Sequence, residues 1–155
     1  MKNNIKFILS DLFCTIFKIG NIKFMPGTLG SFVGLLIGLI LKITLPIVIY
    51  IITILLILIF AIIAINIYQS KVGKEDRSEI IIDEFIGQQI PLLFIEISVL
   101  NIALCFIFFR FFDILKIFPS NYIDKNYKNS FGIIADDLVA GIQALAIIYL
   151  IKLIL

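Results

Sequence analysis

The sequence predicts an all-α protein, a polytopic membrane helical bundle of about five spans with an N-terminal amphipathic helix. The mean hydropathy is +1.15, and charged residues make up 15% of the chain, against about 25% in a typical soluble domain. The apolar residues also fall into separate runs bounded by Lys, Pro or acidic residues. A soluble chain of 155 residues could not bury so much apolar surface, so we expect a single membrane domain.

The N-terminal segment, residues 1–24, is predicted to lie at the inner membrane interface, and residues 25–155 to form the helical bundle. The apolar run Ile5–Ile19 is interrupted by Ser10 and Asp11. A polar pair inside such a run is typical of an amphipathic helix that lies in the interface rather than of a span.

The rest of the chain contains five apolar runs, which are Leu29–Leu41, Pro46–Tyr68, Ile80–Ile95, Ser98–Phe109 and Ile133–Leu155. A full span needs about 20 residues, so the second and fifth runs qualify alone and the first qualifies with its flanking residues. The third and fourth runs are predicted to form a hairpin around Glu96, and Pro91 is expected to kink the third.

Small residues in the first and last runs predict close helix packing. Gly30, Gly34 and Gly38 repeat at a spacing of four, which places them on one helix face as a groove for a neighbouring helix. Ala140 and Gly141 are expected to do the same in the last run.

The distribution of basic residues predicts the orientation. With five spans, the following residues all fall on one side of the membrane: Lys2, Lys6, Lys18, Lys23, Lys71, Lys74, Arg77, Arg110, Lys116, Lys125 and Lys128. Only Lys42 and Lys152 fall opposite. By the positive-inside rule, the basic side is cytoplasmic.

Acidic residues are concentrated on the same side, most of them near the ends of the apolar runs. They are Asp76, Asp83, Glu84, Asp113, Asp124, Asp136 and Asp137. A carboxylate drawn into the hydrocarbon costs about 2.5–3.5 kcal/mol on insertion scales, so repeated placement there indicates a shared role. Clustered hard oxygen ligands favour Mg²⁺ held near phosphate.

Two further motifs could contribute to such a site. In Met25–Ser31, a Pro-Gly turn is predicted to precede a helix. The N–H groups at the start of that helix and the hydroxyls of Thr28 and Ser31 could bind a phosphate oxygen. The alternative is an ordinary turn followed by a helix cap. Arg110, Asp113 and Lys116 are spaced by three and share a helix face, on which the cations Arg110 and Lys116 suit phosphate. An interfacial salt bridge is the alternative.

Several function classes are excluded by what the chain lacks. It contains no His, which excludes phosphatases and hydrolases that depend on histidine, and it has no phosphate-binding P-loop motif. A net charge of +2 is no nucleic-acid signature. Cys14 and Cys105 are expected to be buried as small apolar residues.

Four segments in order resemble the phosphatidylglycerophosphatase A family. They are P-G-T-L-G-S (Pro26–Ser31), I-I-I-D-E-F-I-G-Q (Ile80–Gln88), F-R-F-F-D-I-L-K (Phe109–Lys116) and G-I-I-A-D-D-L-V-A-G (Gly132–Gly141). The resemblance implies a bacterial inner-membrane phosphatase with its active site on the cytoplasmic face. It also implies dependence on Mg²⁺ and a lipid substrate, phosphatidylglycerol phosphate, whose terminal phosphate is removed to give phosphatidylglycerol.

The resemblance also implies a site within the 25–155 bundle. The residues expected to be catalytic are Asp83, Glu84, Arg110, Asp113, Lys116, Asp136 and Asp137. Those expected to bind substrate are Gly27, Thr28, Gly30, Ser31, Asp76, Arg110, Lys116 and Asp124. Those expected to bind Mg²⁺ are Asp83, Glu84, Asp136 and Asp137. The chain departs from the family pattern at Ile117, where a proline is usual, and at Asn129-Ser130, where two glycines are usual.

Two other function classes fit part of the pattern. A small membrane cation transporter or a non-catalytic membrane subunit could use intramembrane carboxylates for ion binding or assembly. A transporter would place them near the membrane midplane, usually with internal repeats, whereas here they lie toward one face among Arg and Lys. The sequence makes no prediction of an oligomer.

Overall fold

The computed structural model describes residues 2–73 and 77–154, and all regular secondary structure in those two ranges is helical. The α-helices are α1 (Lys2–Cys14), α2 (Pro26–Thr44), α3 (Ile47–Val72), α4 (Ile82–Phe94), α5 (Val99–Leu115), α6 (Ser120–Asn126) and α7 (Ser130–Ile154). A short 3-10 turn, Ile19–Asn21, lies between α1 and α2. The prediction of an all-α protein is confirmed.

The N-terminal helix is shorter than the predicted Ile5–Ile19, because α1 ends at Cys14. Ile16, Phe17 and Lys18 have φ values of 45°, 53° and 73°, a left-handed backbone that cannot continue a right-handed helix. α1 packs along α3. The backbone N–H of Ile81 donates to the carbonyl of Cys14 at 3.0 Å, which ties the end of α1 to the residue before α4.

Within the described residues, three helices are long and apolar enough to cross a membrane: α2, α3 and α7, with 19, 26 and 25 residues. The prediction of about five spans is therefore too high. α4 has 13 residues and α5 has 17, so they are about 20 and 26 Å long, short of the roughly 30 Å of hydrocarbon.

The two short helices form the predicted hairpin around Glu96, with Pro91 in the last turn of α4. A hairpin enters and leaves at the same end of the bundle. The start of α4, the end of α5 and the start of α7 therefore meet at one end of the bundle. Although the described residues contain three candidate spans and not five, their acidic and basic side chains still meet at one end of the bundle.

α4 is the central helix and packs most extensively against α7 and α2. Glycines allow this close approach. A Cβ at Gly34 of α2 would lie 2.8 Å from the carbonyl oxygen of Phe85, and a Cβ at Gly141 of α7 would lie 2.5 Å from that of Gly87. Ala140 is also fully buried. The predicted packing role of the small residues in α2 and α7 is confirmed.

A buried polar network joins α4 to two other helices. The Gln89 side chain donates to the carbonyl of Gly34 at 2.9 Å, and its amide oxygen accepts from the Tyr50 hydroxyl at 2.7 Å. Gln89 and Tyr50 are fully buried, so these hydrogen bonds replace the water that both groups lose on folding. The network fixes α2, α3 and α4 relative to one another.

Lys42, in the last turn of α2, closes the far end of α4. Its ammonium donates to the carbonyls of Leu92 at 2.6 Å and Leu93 at 3.1 Å, and also to that of Ile95. Carbonyls at a helix C-terminus lack intrahelical donors, and the dipole there favours a cation. Lys42, one of the two basic residues predicted to lie opposite the others, therefore stabilises the α4–α5 turn.

Replacing Lys42 by Met should lower the thermal stability of the detergent-solubilised protein. Three carbonyls would lose their donor, and we expect the midpoint of the far-ultraviolet circular dichroism melt to fall by roughly 3–10 °C. The matched control is Lys152→Met, which removes an exposed charge near the end of α7. Equal melting midpoints for the two variants would contradict the capping role of Lys42.

Candidate active site

A cavity of about 520 Å³ opens at the end of the bundle where α2, α4, α5 and α7 meet. Its lining is contributed by the start of α2, the start of α4, the end of α5, the start of α7 and the loop before α4. The lining residues are Met25, Pro26, Gly27, Thr28, Arg77, Ser78, Ile80, Asp83, Glu84, Arg110, Asp113, Ile114, Lys116, Ile133, Asp136 and Asp137. All seven residues expected to be catalytic therefore line one cavity.

Three acidic side chains form a carboxylate cluster in this cavity: Asp83 and Glu84 in the first turn of α4, and Asp137 in α7. One oxygen from each lies within 4.8 Å of the others. The cluster exists because α4 and α7 approach closely, since a Cβ at Gly87 would lie only 2.8 Å from the carbonyl oxygen of Asp137. Asp83 and Asp137 are 7% and 4% exposed, so water screens their mutual repulsion poorly.

The carboxylate cluster has spare acceptor capacity. Glu84 Oε2 and Asp137 Oδ2 are buried and accept no hydrogen bond from the described residues. Buried carboxylates this close together require a proton or a cation between them. An all-oxygen set of this kind suits Mg²⁺ or Ca²⁺ better than a soft metal.

Asp136 has different contacts from its neighbour Asp137, although both were predicted as metal ligands. Its Oδ2 accepts a hydrogen bond from the Lys116 ammonium at 2.7 Å, and it is not part of the carboxylate cluster. Adjacent residues on a helix point about 100° apart. Asp137 therefore faces α4 while Asp136 faces the end of α5.

Lys116 follows α5 in a left-handed conformation, with a φ of 45°, and is held between two carboxylates. Its ammonium forms salt bridges with Asp136 and, at 2.8 Å, with Asp124 Oδ1. The same oxygen of Asp124 also accepts a hydrogen bond from Lys128 at 3.1 Å. Burial lowers the pKa of Lys116, but the hydrogen bonds and charges of Asp124 and Asp136 outweigh burial and raise it. Lys116 is therefore a permanent cation at neutral pH and not a proton acceptor.

Asp124 lies outside the cavity lining and reaches it only through Lys116. Burial raises the pKa of Asp124, but the hydrogen bonds from Lys116 and Lys128 outweigh it and hold that pKa below its usual value. The predicted substrate-binding residue is thus an anion that orients a cation of the site.

Arg110 is fixed by α2 and by its own helix. Its Nη1 donates to the Ser31 hydroxyl at 3.1 Å and pairs with Asp113 one turn along α5. Ser31 is fully buried and donates to the carbonyl of Gly27 at 2.8 Å. Ser31 therefore positions Arg110 rather than lining the cavity.

The first turn of α2 supplies the part of the cavity wall beside Glu84. The helix begins at Pro26 after Met25, whose φ is 47°, and no side chain caps it, so the alternative of Thr28 or Ser31 as an ordinary cap is not observed. A Cβ at Gly27 would lie 2.2 Å from Glu84 Oε1. Any other residue at this position would therefore require the Glu84 side chain to move. Gly30 packs against Ile81 and does not line the cavity.

Arg77 is a cavity residue that the sequence analysis did not include in the site. Its Nη2 donates to the carbonyl of Val72 at 2.7 Å, and its Nη1 lies 3.6 Å from Glu79 Oε1. Its position six residues before Asp83 is the signal that could have identified it. The predicted Asp76 lies outside the described residues.

Comparisons with known proteins find a matching family and similar relatives. The family model described as phosphatidylglycerophosphatase A matches residues 12–152. Phosphatidylglycerophosphatase A of Haemophilus influenzae is 37% identical over 137 residues, covering 88% of this chain and 84% of that protein. Phosphatidylglycerophosphatase A of Escherichia coli K12 is 36% identical over 81 residues, covering 52% of this chain and 47% of that protein.

No solved structure matches this chain. The family match covers most of the chain and includes every residue that lines the cavity. The chain belongs to the phosphatidylglycerophosphatase A family.

Proposed function

We propose that this protein hydrolyses the terminal phosphate of phosphatidylglycerol phosphate, giving phosphatidylglycerol and inorganic phosphate. The observation that carries the proposal is the convergence of the carboxylate cluster with Arg110 and Lys116 in one cavity of a membrane protein. Family membership and the Haemophilus influenzae relative, whose name states this activity, support it.

We further propose that Mg²⁺ binds at the carboxylate cluster. Its three side chains supply the hard oxygen ligands that Mg²⁺ prefers, and Glu84 Oε2 and Asp137 Oδ2 retain unused acceptor capacity among the described residues. When bound, the ion supplies Lewis-acid polarisation of a phosphate oxygen and a lower pKa for water. Asp136 and Asp113 pair with Lys116 and Arg110, and we propose that they orient these cations beside the ligand set.

The protein's own cations complete the proposed chemistry. Negative charge grows on the phosphoryl oxygens during transfer, and Arg110 and Lys116 are fixed where they can offset it. Both are held by carboxylates before substrate arrives, so little side-chain entropy is lost on binding. Thr28, in the first turn of α2, lines the same cavity beside helix N–H groups that suit phosphate oxygens.

We place the site at the cytoplasmic face of a bacterial inner membrane. Among the described residues, the basic side chains are concentrated at the cavity end of the bundle, and Lys42 and Lys152 lie at the other end. The lipid headgroup would enter the cavity while the acyl chains stay in the bilayer. A cation transporter is disfavoured because the carboxylates lie at helix ends among Arg and Lys.

Replacing Asp83 or Asp137 by Asn should abolish phosphatase activity. Each change removes an oxygen ligand and a charge, and we expect phosphate release in mixed micelles to fall on the order of 100-fold or more. The matched control is Glu96→Gln, in the exposed turn between α4 and α5, which should keep the wild-type rate. Wild-type rates in folded Asp83→Asn and Asp137→Asn would refute the assignment.

Metal dependence can be measured apart from turnover. Without metal, Asp137→Asn should melt at a higher temperature than the wild type, because one repelling charge is gone. Added Mg²⁺ should raise the melting temperature of the wild type and shift the variant much less. EDTA should abolish phosphate release, and added Mg²⁺ should restore it. Full activity in EDTA would exclude a required divalent ion.

A further inference from the structure

A second cavity, of about 680 Å³, adjoins the first and is not used by the proposed chemistry. It lies between α1, the linker to α2 and the loop before α4. Its lining residues are Phe7, Asp11, Lys18, Gly20, Asn21, Ile22, Lys23, Pro26, Tyr68, Ser78 and Glu79. Pro26 and Ser78 line both cavities, so the two share a wall.

The charges of the second cavity leave one cation without a counter-ion. Asp11 pairs with Lys18. Glu79 accepts a hydrogen bond from the Tyr68 hydroxyl at 3.2 Å and lies 3.6 Å from Arg77. Lys23 is exposed and forms no ion pair with any residue in the described ranges. Because Arg77 of the adjoining cavity balances Glu79, Lys23 can pair with a singly charged anion.

The linker beside Lys23 is suited to a lipid surface. Phe17 and Phe24 are 82% and 76% exposed, and Ile22 and Met25 are also exposed. Aromatic and apolar side chains next to lysines are typical of segments that lie at the boundary of headgroups and acyl chains. The opening of the second cavity is thus bordered by residues that suit the region where lipid phosphates lie.

The substrate proposed above carries two phosphates of different kinds. The terminal phosphomonoester is the group removed, and a phosphodiester joins the same glycerol to diacylglycerol. When the monoester lies at the carboxylate cluster, the diester must lie one glycerol length away and nearer the acyl chains. The second cavity is a candidate for that position, because it adjoins the first across Pro26 and Ser78 and borders the apolar linker.

We propose that the second cavity binds the phosphodiester of the same lipid whose monoester is hydrolysed, with Lys23 as its principal cation. This inference rests on the proposed function. It assigns Lys23 a part in substrate selection, because a lipid monoester without a phosphodiester, such as phosphatidic acid, gains nothing from this contact.

The test compares Lys23→Met with the matched control Lys71→Met, an exposed lysine at the same end of the bundle that lines neither cavity. With phosphatidylglycerol phosphate in mixed micelles, Lys23→Met should raise KM roughly three- to ten-fold with kcat nearly unchanged. Lys71→Met should match the wild type, and Lys23→Arg should restore most of the affinity. Equal KM values for Lys23→Met and Lys71→Met would overturn the proposal.

Phosphatidylglycerol, which retains only the phosphodiester, distinguishes the remaining explanations. It should inhibit the wild type competitively, and the inhibition should weaken in Lys23→Met. Noncompetitive inhibition would mean that a separate lipid occupies the second cavity, which contradicts the proposal. Inhibition by phosphatidic acid should be unchanged in Lys23→Met; an equal weakening would mean that Lys23 only attracts anionic surfaces.

A binding measurement separates failure of this inference from failure of the proposed function. If the wild type releases no phosphate, the function fails, but calorimetric titration with short-chain phosphatidylglycerol still tests the second cavity. Weaker binding to Lys23→Met than to Lys71→Met supports the phosphodiester site. Equal binding to both refutes it.

Discussion

The close packing of α4 between α2 and α7 is the constraint on which the site depends. Backbones approach there because Gly34, Gly87 and Gly141 present no side chain at the contacts. The same approach carries Asp83 and Glu84 of α4 to Asp137 of α7. In a membrane, lipid offers no hydrophobic drive for helix association, so small residues and polar contacts hold such helices together.

Bringing three carboxylates together in a poorly hydrated cavity opposes folding, and the surrounding structure offsets that cost. The buried hydrogen bonds of Gln89 hold the middle of α4 in place, and the contacts of Lys42 hold its C-terminal end. Arg110 and Lys116 bring positive charge to the same cavity, each tied to its own carboxylate partner. The result is a site organised before any ligand binds, which favours electrostatic catalysis.

The two adjoining cavities suit a substrate that belongs partly to the membrane. The first gathers the groups suited to phosphoryl chemistry, and the second faces the linker that exposes Phe17 and Phe24 beside lysines. The α4–α5 hairpin allows this arrangement because it returns the chain to the same end of the bundle without two full spans. The groups that select the lipid can therefore lie in a different cavity from the groups suited to phosphoryl chemistry.

Local features of the sequence are enough to predict the helical class, the close-packing glycines and the gathering of charged residues at one end of the bundle. These follow from hydropathy, spacing and the cost of charge in hydrocarbon, all of which act locally along the chain. The four motif segments also indicated which residues would meet in one cavity. The span count was too high because apolar runs as short as Ile80–Ile95 and Ser98–Phe109 do not reveal whether a helix crosses the membrane or turns back.

The contacts of the individual carboxylates depend on the tertiary structure. Asp136 and Asp137 are adjacent in sequence, yet one meets Lys116 and the other meets α4, because side-chain direction depends on which helices lie beside α7. Ser31 was expected to contact substrate but holds Arg110, a residue 79 positions away. The second cavity was not predicted at all, since its walls come from α1, α3 and two loops that only folding brings together.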